Sequence, residues 1–218
     1  MRYCRQAIGL GRTAVKVAEN LSDEDLLVVQ ASLRLAYRTS RGIHNTNTSI
    51  TKLAKLRMHR TGLTQLPLVS ATRPKRVTTE SACLAVSSMA LPACWFETSS
   101  ALKSMNAGRY AVLGLEADGK YSLQLRLIDA SDHFLEIPEY KRVIEVSPPM
   151  VILVENQRVL FGAADALEDG VGFSVENGRY ICSVTSLRSG RHRRLIATLI
   201  RSDEDVPEIH QMPDLREA

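Results

Sequence analysis

The sequence is poor in aromatic residues and cysteines and has no long apolar run. Aromatic residues make up only 5% of the 218 residues, which argues against an antibody-like or carbohydrate-binding surface. No apolar stretch approaches the roughly 18 residues that a membrane-spanning helix needs. The cysteines form no C-x-x-C pair, and the five histidines do not cluster with them at zinc-like spacing. We therefore predict a cytoplasmic protein without metal or cofactor and with reduced thiols at Cys4, Cys83, Cys94 and Cys182.

Sequence motifs of enzymes are also missing. The chain has no P-loop, no G-x-S-x-G and no H-E-x-x-H. The densest polar segment runs from Asp129 to His133, and an aspartate beside a histidine could orient a general base in a hydrolase. Neighbouring residues of one loop seldom converge on a single point, however, and no nucleophile is indicated. A non-enzymatic protein is therefore the prediction.

Acidic side chains are absent from residues 26–79, where ten Lys or Arg residues occur. Residues 1–79 contain 14 basic and 4 acidic residues, a net charge of +10, whereas residues 80–218 contain 14 basic and 20 acidic residues, a net charge of −6. Such asymmetry favours contact of the basic part with nucleic acid, an anionic membrane or an acidic partner. A solvated, poorly ordered arm is the alternative interpretation.

Two amphipathic helices are predicted in the basic part, at residues 22–39 and 49–60. Ser22 can cap the first helix, and the three acidic residues after it suit the positive end of a helix dipole. A polar loop joins the helices, which gives the outline of a helix-turn-helix element. The alternative function is therefore a nucleic-acid-binding regulator that contacts phosphates through residues on both helices and just beyond the first, although such stripes are also typical of a solvated face. These residues are Arg34, Arg38, Arg41, Lys52, Lys55, Arg57 and Arg60.

From residue 106 onward the apolar period changes from 3.6 to 2, which predicts β-strands. Residues 121–127 are the clearest strand, and the Asp118-Gly119 turn predicts a hairpin with residues 109–115. Further strands are predicted at 141–146, 150–154, 157–161, 173–175, 179–187 and 192–201. The predicted fold is α+β, with a small basic N-terminal helical segment followed by an antiparallel β-sandwich or barrel-like domain. The predicted boundaries are 1–88 (helical or partly disordered), 89–105 (linker), 106–202 (β domain) and 203–218 (acidic tail, expected to fray).

A short repeat gives the one hint of a protein class. Gly108-Arg109-Tyr110 recurs as Gly178-Arg179-Tyr180, and the second copy follows Phe173-Ser174-Val175-Glu176-Asn177 directly before a strand. Within residues 100–202 this sequence pattern resembles small bacterial immunity-type or nuclease-inhibitor β-sandwich proteins. The resemblance includes no specific motif. The resemblance implies a protein-binding module that inhibits a toxin or nuclease. Partner contacts are predicted at a basic turn, which could equally be an edge strand kept soluble by charge: Arg188, Arg191, Arg193 and Arg194.

Overall fold

The computed structural model describes residues 65–130, 135–140, 142–189 and 192–215. The chain divides into two compact units, of which the first comprises Met1–Leu66, Phe134–Val143 and Ala218, and the second comprises Pro67–His133 and Ile144–Glu217. In the first unit the structure describes one short helix, labelled α2 (Ile137–Tyr140). The predicted helices at 22–39 and 49–60 lie outside the described residues.

Most of the described residues form β-strands in two sheets. The larger sheet has the order β1-β5-β11-β10-β6, with β2 also pairing with β5 and β7 with β10, and the smaller sheet has the order β4-β3-β8-β9. The strands of the larger sheet are β1 (Leu68–Ala71), β2 (Lys75–Thr79), β5 (Gly119–Ile128), β6 (Val143–Val146), β7 (Met150–Val154), β10 (Gly178–Ser189) and β11 (His192–Arg201). Those of the smaller sheet are β3 (Cys83–Ser87), β4 (Tyr110–Gly114), β8 (Arg158–Ala163) and β9 (Ala166–Ser174), and helix α1 (Thr98–Asn106) lies between β3 and β4 in the chain.

One apolar core joins the two sheets. Leu123 and Leu125 of β5 and Leu195 of β11 are fully buried in the same cluster as Leu84 of β3 and Phe161 of β8. Alternate residues of a strand point to opposite faces, so a strand that reaches this core turns one of its two faces toward it. The prediction of a β-rich domain is confirmed. Among the strand pairs whose register the structure describes, β5 and β11 run parallel and the others run antiparallel.

The predicted hairpin between residues 109–115 and 121–127 is wrong. Both strands exist, but β4 belongs to the smaller sheet, where it pairs with β3, and β5 belongs to the larger sheet. The turn at Asp118-Gly119 therefore carries the chain from one sheet to the other. An Asp-Gly turn between two strands indicates a change of direction, and it does not identify the neighbour with which each strand pairs.

The segment before residue 106 also contains more regular structure than its composition indicates. Residues 68–87, inside the part expected to be helical or disordered, form β1, β2 and β3. Residues 98–106, of which all but the last lie in the expected linker (89–105), form α1, whose Ala101 and Met105 are fully buried. Serines and two prolines dilute the apolar period of this segment, and burial against the core compensates for the weak local propensity.

Two buried tyrosines at the starts of β5 and β10 share one hydrogen-bond pattern. The hydroxyl of Tyr121 donates to the carbonyl oxygen of Ala117 at 2.6 Å, and the hydroxyl of Tyr180 donates to that of Glu176 at 2.8 Å. Each bond spans four residues and closes the turn that leads into a central strand of the larger sheet. In the structure, Gly178-Arg179-Tyr180 therefore corresponds to Gly119-Lys120-Tyr121. It does not correspond to residues 108–110, with which it is identical in sequence.

Candidate functional site

Three turns of the second unit meet at one end of its two sheets. They are the turns between β2 and β3, between β4 and β5, and between β8 and β9, and each carries at least one carboxylate. The carboxylates are all exposed, and we call them the acidic turn cluster: Glu80, Glu116, Asp118 and Asp165.

Hydrogen bonds from the β2–β3 turn hold two of these carboxylates in place. The backbone N–H of Ala82 donates to Oδ1 of Asp118 at 2.5 Å. The backbone N–H of Glu80 and the hydroxyl of Ser81 donate to the two oxygens of Asp165, both at 3.2 Å. One short turn therefore positions the aspartates of the other two turns.

Backbone hydrogen bonds connect the same turns independently of the carboxylates. The N–H of Leu115 donates to the carbonyl oxygen of Ala82 at 2.7 Å, and the N–H of Ala164 donates to that of Cys83 at 3.0 Å. Because the turns are tied at both backbone and side chain, their carboxylates are presented by an ordered frame. Little conformational entropy would be lost when a partner contacts them.

The charge at this end is mostly uncompensated. Glu116 forms an ion pair with Arg193, whereas Glu80, Asp118 and Asp165 form no ion pair with any residue that the structure describes. Carboxylates gathered in one region create a negative potential that attracts a basic surface and speeds its association. Such a group can bind cationic side chains.

The C-terminal segment, residues 206–215, reaches the same end of the unit. Gly114 of β4 donates its N–H to the carbonyl oxygen of Pro213 at 2.8 Å, and Leu215 donates its N–H to the carbonyl oxygen of Gly114 at 2.9 Å. Nearer to α1, the side-chain amide of Asn106 exchanges two hydrogen bonds with the backbone of Ile209, at 2.8 and 3.1 Å. Ile209 and Leu215 are buried in the core. The segment is therefore docked along β4, in contrast to the expected frayed terminus.

Arg193, one of the predicted partner-binding residues, connects the C-terminal segment to the acidic turn cluster. Its guanidinium donates from Nη1 to the carbonyl oxygen of Leu215 at 3.0 Å and from Nη2 to the carboxylate of Glu116. The side chain is only 15% exposed. It lies near Tyr121, where burial raises the pKa of the phenol and the positive charge of Arg193 opposes that effect.

Of the other three predicted arginines, Arg188 lies on the same face of the larger sheet as Arg193, and Arg194 lies on the opposite face. Arg194 follows Arg193 in β11 and therefore points to the opposite face of the sheet, where it donates to the side-chain oxygen of Gln124. Arg188 pairs with Arg193 across the β10–β11 ladder and is exposed. Arg191 lies outside the described residues. The binding role of these arginines stays a prediction.

The remaining candidate residues fall partly outside the described structure. The seven basic residues proposed for nucleic-acid contact lie there, as do Cys4 and residues 131–134 of the polar loop, whereas Asp129 is exposed. Within the described ranges, no three His, Cys, Asp or Glu side chains are grouped as metal ligands, and no helix is long and apolar enough to cross a membrane. Burial raises the pKa of the Cys182 thiol to about 12, so this thiol is unreactive at neutral pH.

The acidic turn cluster was missed because its members are scattered through the sequence. Glu80 and Asp165 are 85 residues apart in the chain, and only the pairing of β3 with both β4 and β8 brings their turns together. The one feature of the sequence that points to these carboxylates is that each lies in a short polar break between apolar segments. Such breaks mark turns, but they do not show which turns share an end of the sheets.

Comparison with known proteins gives a limited likeness. No protein-family model and no curated protein sequence matches this chain. Among solved structures, ComJ from Bacillus subtilis, an inhibitor of the DNA-degrading activity of NucA, is similar over 61% of this chain and 98% of its own, with 11% identity and a TM-score of 0.45. The product of crocagin biosynthetic gene J is similar over 62% of this chain and 99% of its own, with 15% identity and a TM-score of 0.46. At these TM-scores neither likeness carries a conclusion about function.

Proposed function

We propose that the second unit is a non-enzymatic protein-binding module of the inhibitor type, whose partner is a nuclease or toxin with a basic substrate cleft. The observation that carries the proposal is the acidic turn cluster, in which three turns present exposed carboxylates on an ordered frame. Nucleases bind the phosphates of their substrates through Lys and Arg side chains. A rigid group of carboxylates is complementary to such a cleft and competes with the substrate for it.

Isosteric neutralisation of the cluster tests this proposal. The triple variant Glu80→Gln, Asp118→Asn and Asp165→Asn removes three negative charges. The amide at position 118 keeps the oxygen that accepts from the N–H of Ala82. The amide at position 165 keeps one of the two acceptor oxygens, and its NH2 group can donate to the hydroxyl of Ser81 instead. We expect its association with the partner to slow by about tenfold or more at low salt, because complementary charges steer encounter. The measurement is surface plasmon resonance of the full chain against partners captured from the native host, beginning with nucleases, together with an assay of nuclease inhibition.

A matched control separates the cluster from net charge. The variant Glu97→Gln, Asp129→Asn and Glu155→Gln removes three exposed carboxylates that lie on other turns of the unit. It should bind the partner as the unaltered chain does. Equal binding by the cluster variant and the control would contradict the proposal, and so would the absence of any protein partner under native conditions.

The basic sequence before residue 80 supports a second function, binding of nucleic acid by residues 22–60. The ten basic residues without an acidic neighbour between residues 26 and 79 favour it. We expect binding to fall steeply with salt, and to be lost when Arg34, Arg38, Lys52 and Lys55 are replaced by alanine. Fluorescence anisotropy with labelled duplex DNA and RNA at several salt concentrations measures both effects. Unchanged binding by the fourfold variant would end this hypothesis.

A further inference from the structure

The docked C-terminal segment contacts the protein at two places, which are Asn106 of α1 and Arg193 beside the acidic turn cluster. At one end, Asn106, the last residue of α1, holds the backbone of Ile209 through two hydrogen bonds. At the other end, Leu215 accepts a hydrogen bond from Arg193, whose second contact is Glu116 of the cluster. The strand β4 lies between these two anchors in the chain. The segment therefore spans the distance from α1 to the β4–β5 turn.

The contact of the segment with β4 is short, which allows it to be docked or released as a unit. Gly114 is the one residue of β4 that pairs with the segment among the described residues, through a single parallel bridge to Asp214. The apolar side chains of Ile209 and Leu215 supply burial, and the backbone hydrogen bonds described between the segment and β4 are those of Gly114 with Pro213 and Leu215. Elements with few ladder hydrogen bonds open locally before the rest of a domain unfolds.

We propose that the C-terminal segment is a strap that controls the acidic turn cluster, with Arg193 as the positioning residue that connects them. The docked strap holds the carbonyl oxygen of Leu215 beside Arg193, and Arg193 in turn fixes Glu116 and the turn that contains Asp118. Release of the strap removes one of the two partners of the guanidinium described above and loosens this turn. The regulatory role rests on the proposed function of the cluster as the partner-binding site.

Thermodynamic linkage makes the effect reciprocal. If docking of the strap strengthens partner binding at the cluster, partner binding must strengthen docking of the strap by the same factor. Among the described contacts, those that connect the strap to the turn are the hydrogen bond from Arg193 to Leu215 and the ion pair of Arg193 with Glu116, and the factor depends on them. A single hydrogen bond to a charged group corresponds to a change of about tenfold in an equilibrium.

Amide hydrogen exchange of the full chain, without any partner, tests the strap directly. The variant Asn106→Ala removes the anchor at Ile209 and touches neither Arg193 nor the turns. We expect exchange at the N–H of Leu215 to accelerate by about tenfold. Exchange at the N–H of Ala82, which is bonded to Asp118, should accelerate as well. The control Arg201→Lys alters an exposed ion pair with Glu176 and should leave both amides unchanged.

A double-mutant cycle shows whether Arg193 carries the coupling. The substitution Arg193→Lys keeps the positive charge and loses the simultaneous hydrogen bonds to Leu215 and Glu116. In this background, Asn106→Ala should still accelerate exchange at Leu215 but no longer at Ala82. Acceleration at Leu215 without any at Ala82 in the single variant would overturn the proposal. If Asn106→Ala still accelerates exchange at Ala82 in the Arg193→Lys background, Arg193 is excluded as the positioning residue.

The outcome is independent of the proposed function, because the exchange experiment needs no partner. If the strap is coupled to the turn and the neutralised cluster still binds the partner normally, the proposed function fails and the coupling stands. If the cluster variant loses binding and exchange shows no coupling, only the strap proposal fails. If the cluster binds the partner and the strap is coupled to the turn, the bound partner should slow hydrogen exchange at the N–H of Leu215.

Discussion

Replacement of Gly170 by alanine is expected to destabilise the protein by about 3 kcal/mol, as overpacking against a fixed backbone does. A Cβ atom at this position of β9 would lie 2.2 Å from the carbonyl oxygen of Phe161 and 2.7 Å from Cα of Gly162. Both atoms belong to the backbone of β8, so no side-chain rotation can relieve the clash. The two strands would have to separate, which breaks the ladder that pairs them and disturbs the fully buried Phe161.

Urea unfolding of the purified variants measures this effect. Gly114→Ala is the matched control, because a Cβ atom there would meet nothing closer than Oδ1 of Asp214 at 3.5 Å, which is an ordinary contact. We expect its unfolding midpoint to stay near that of the unaltered protein. Equal unfolding midpoints for the two variants would contradict this prediction, because they would show that β8 and β9 can move apart at little cost in free energy.

The strands from residue 106 onward were largely predictable, and their partners were not. The alternation at Tyr121, Leu123 and Leu125 determines a strand locally, because one face must be apolar. The assignment of β4 and β5 to different sheets depends on contacts with β3 and β11, which are distant in the chain. Local patterns contain no information about such contacts, so the hairpin prediction failed although both of its strands exist.

The acidic turn cluster shows the same limit for the candidate site. Glu80, Asp118 and Asp165 lie in three separate turns, and each taken alone is an ordinary solvated residue of a loop. The predicted site residues rest instead on basic residues that lie close together in the sequence, such as Arg193 and Arg194. Strand alternation then separated Arg193 from Arg194, since neighbours in a strand point to opposite faces. Clusters formed by the fold are invisible to a search for clusters in the sequence.

The C-terminal segment illustrates how a few apolar residues outweigh an acidic composition. Asp203, Glu204 and Asp205 favour a frayed end, and they are indeed exposed. Beyond them, Ile209 and Leu215 are spaced within a stretch that contains two prolines, and neither fits a helical or strand period. Their burial depends on the edge of β4 and on Asn106, which were not recognisable as a binding groove before the fold was known.

Replacement of Leu215 by alanine is therefore expected to lower the free energy of unfolding by about 3 kcal/mol, within the range for leucines truncated in a core. The side chain is fully buried in the cluster that joins both sheets. Its loss removes apolar contacts and leaves a cavity at the end of β4. A tail that merely lies on the surface would show almost no change in the unfolding midpoint.

Leu68→Ala is the control for this experiment, because it makes the same chemical change in β1, where the side chain is 47% exposed. Its cost should stay below about 1 kcal/mol, since much less apolar surface is withdrawn from water there. Comparable losses for the two leucines would contradict the docking of the segment. A large loss at Leu215 alone would establish that residues 206–215 are part of the folded unit, which is the condition for any control of the acidic turn cluster by the strap.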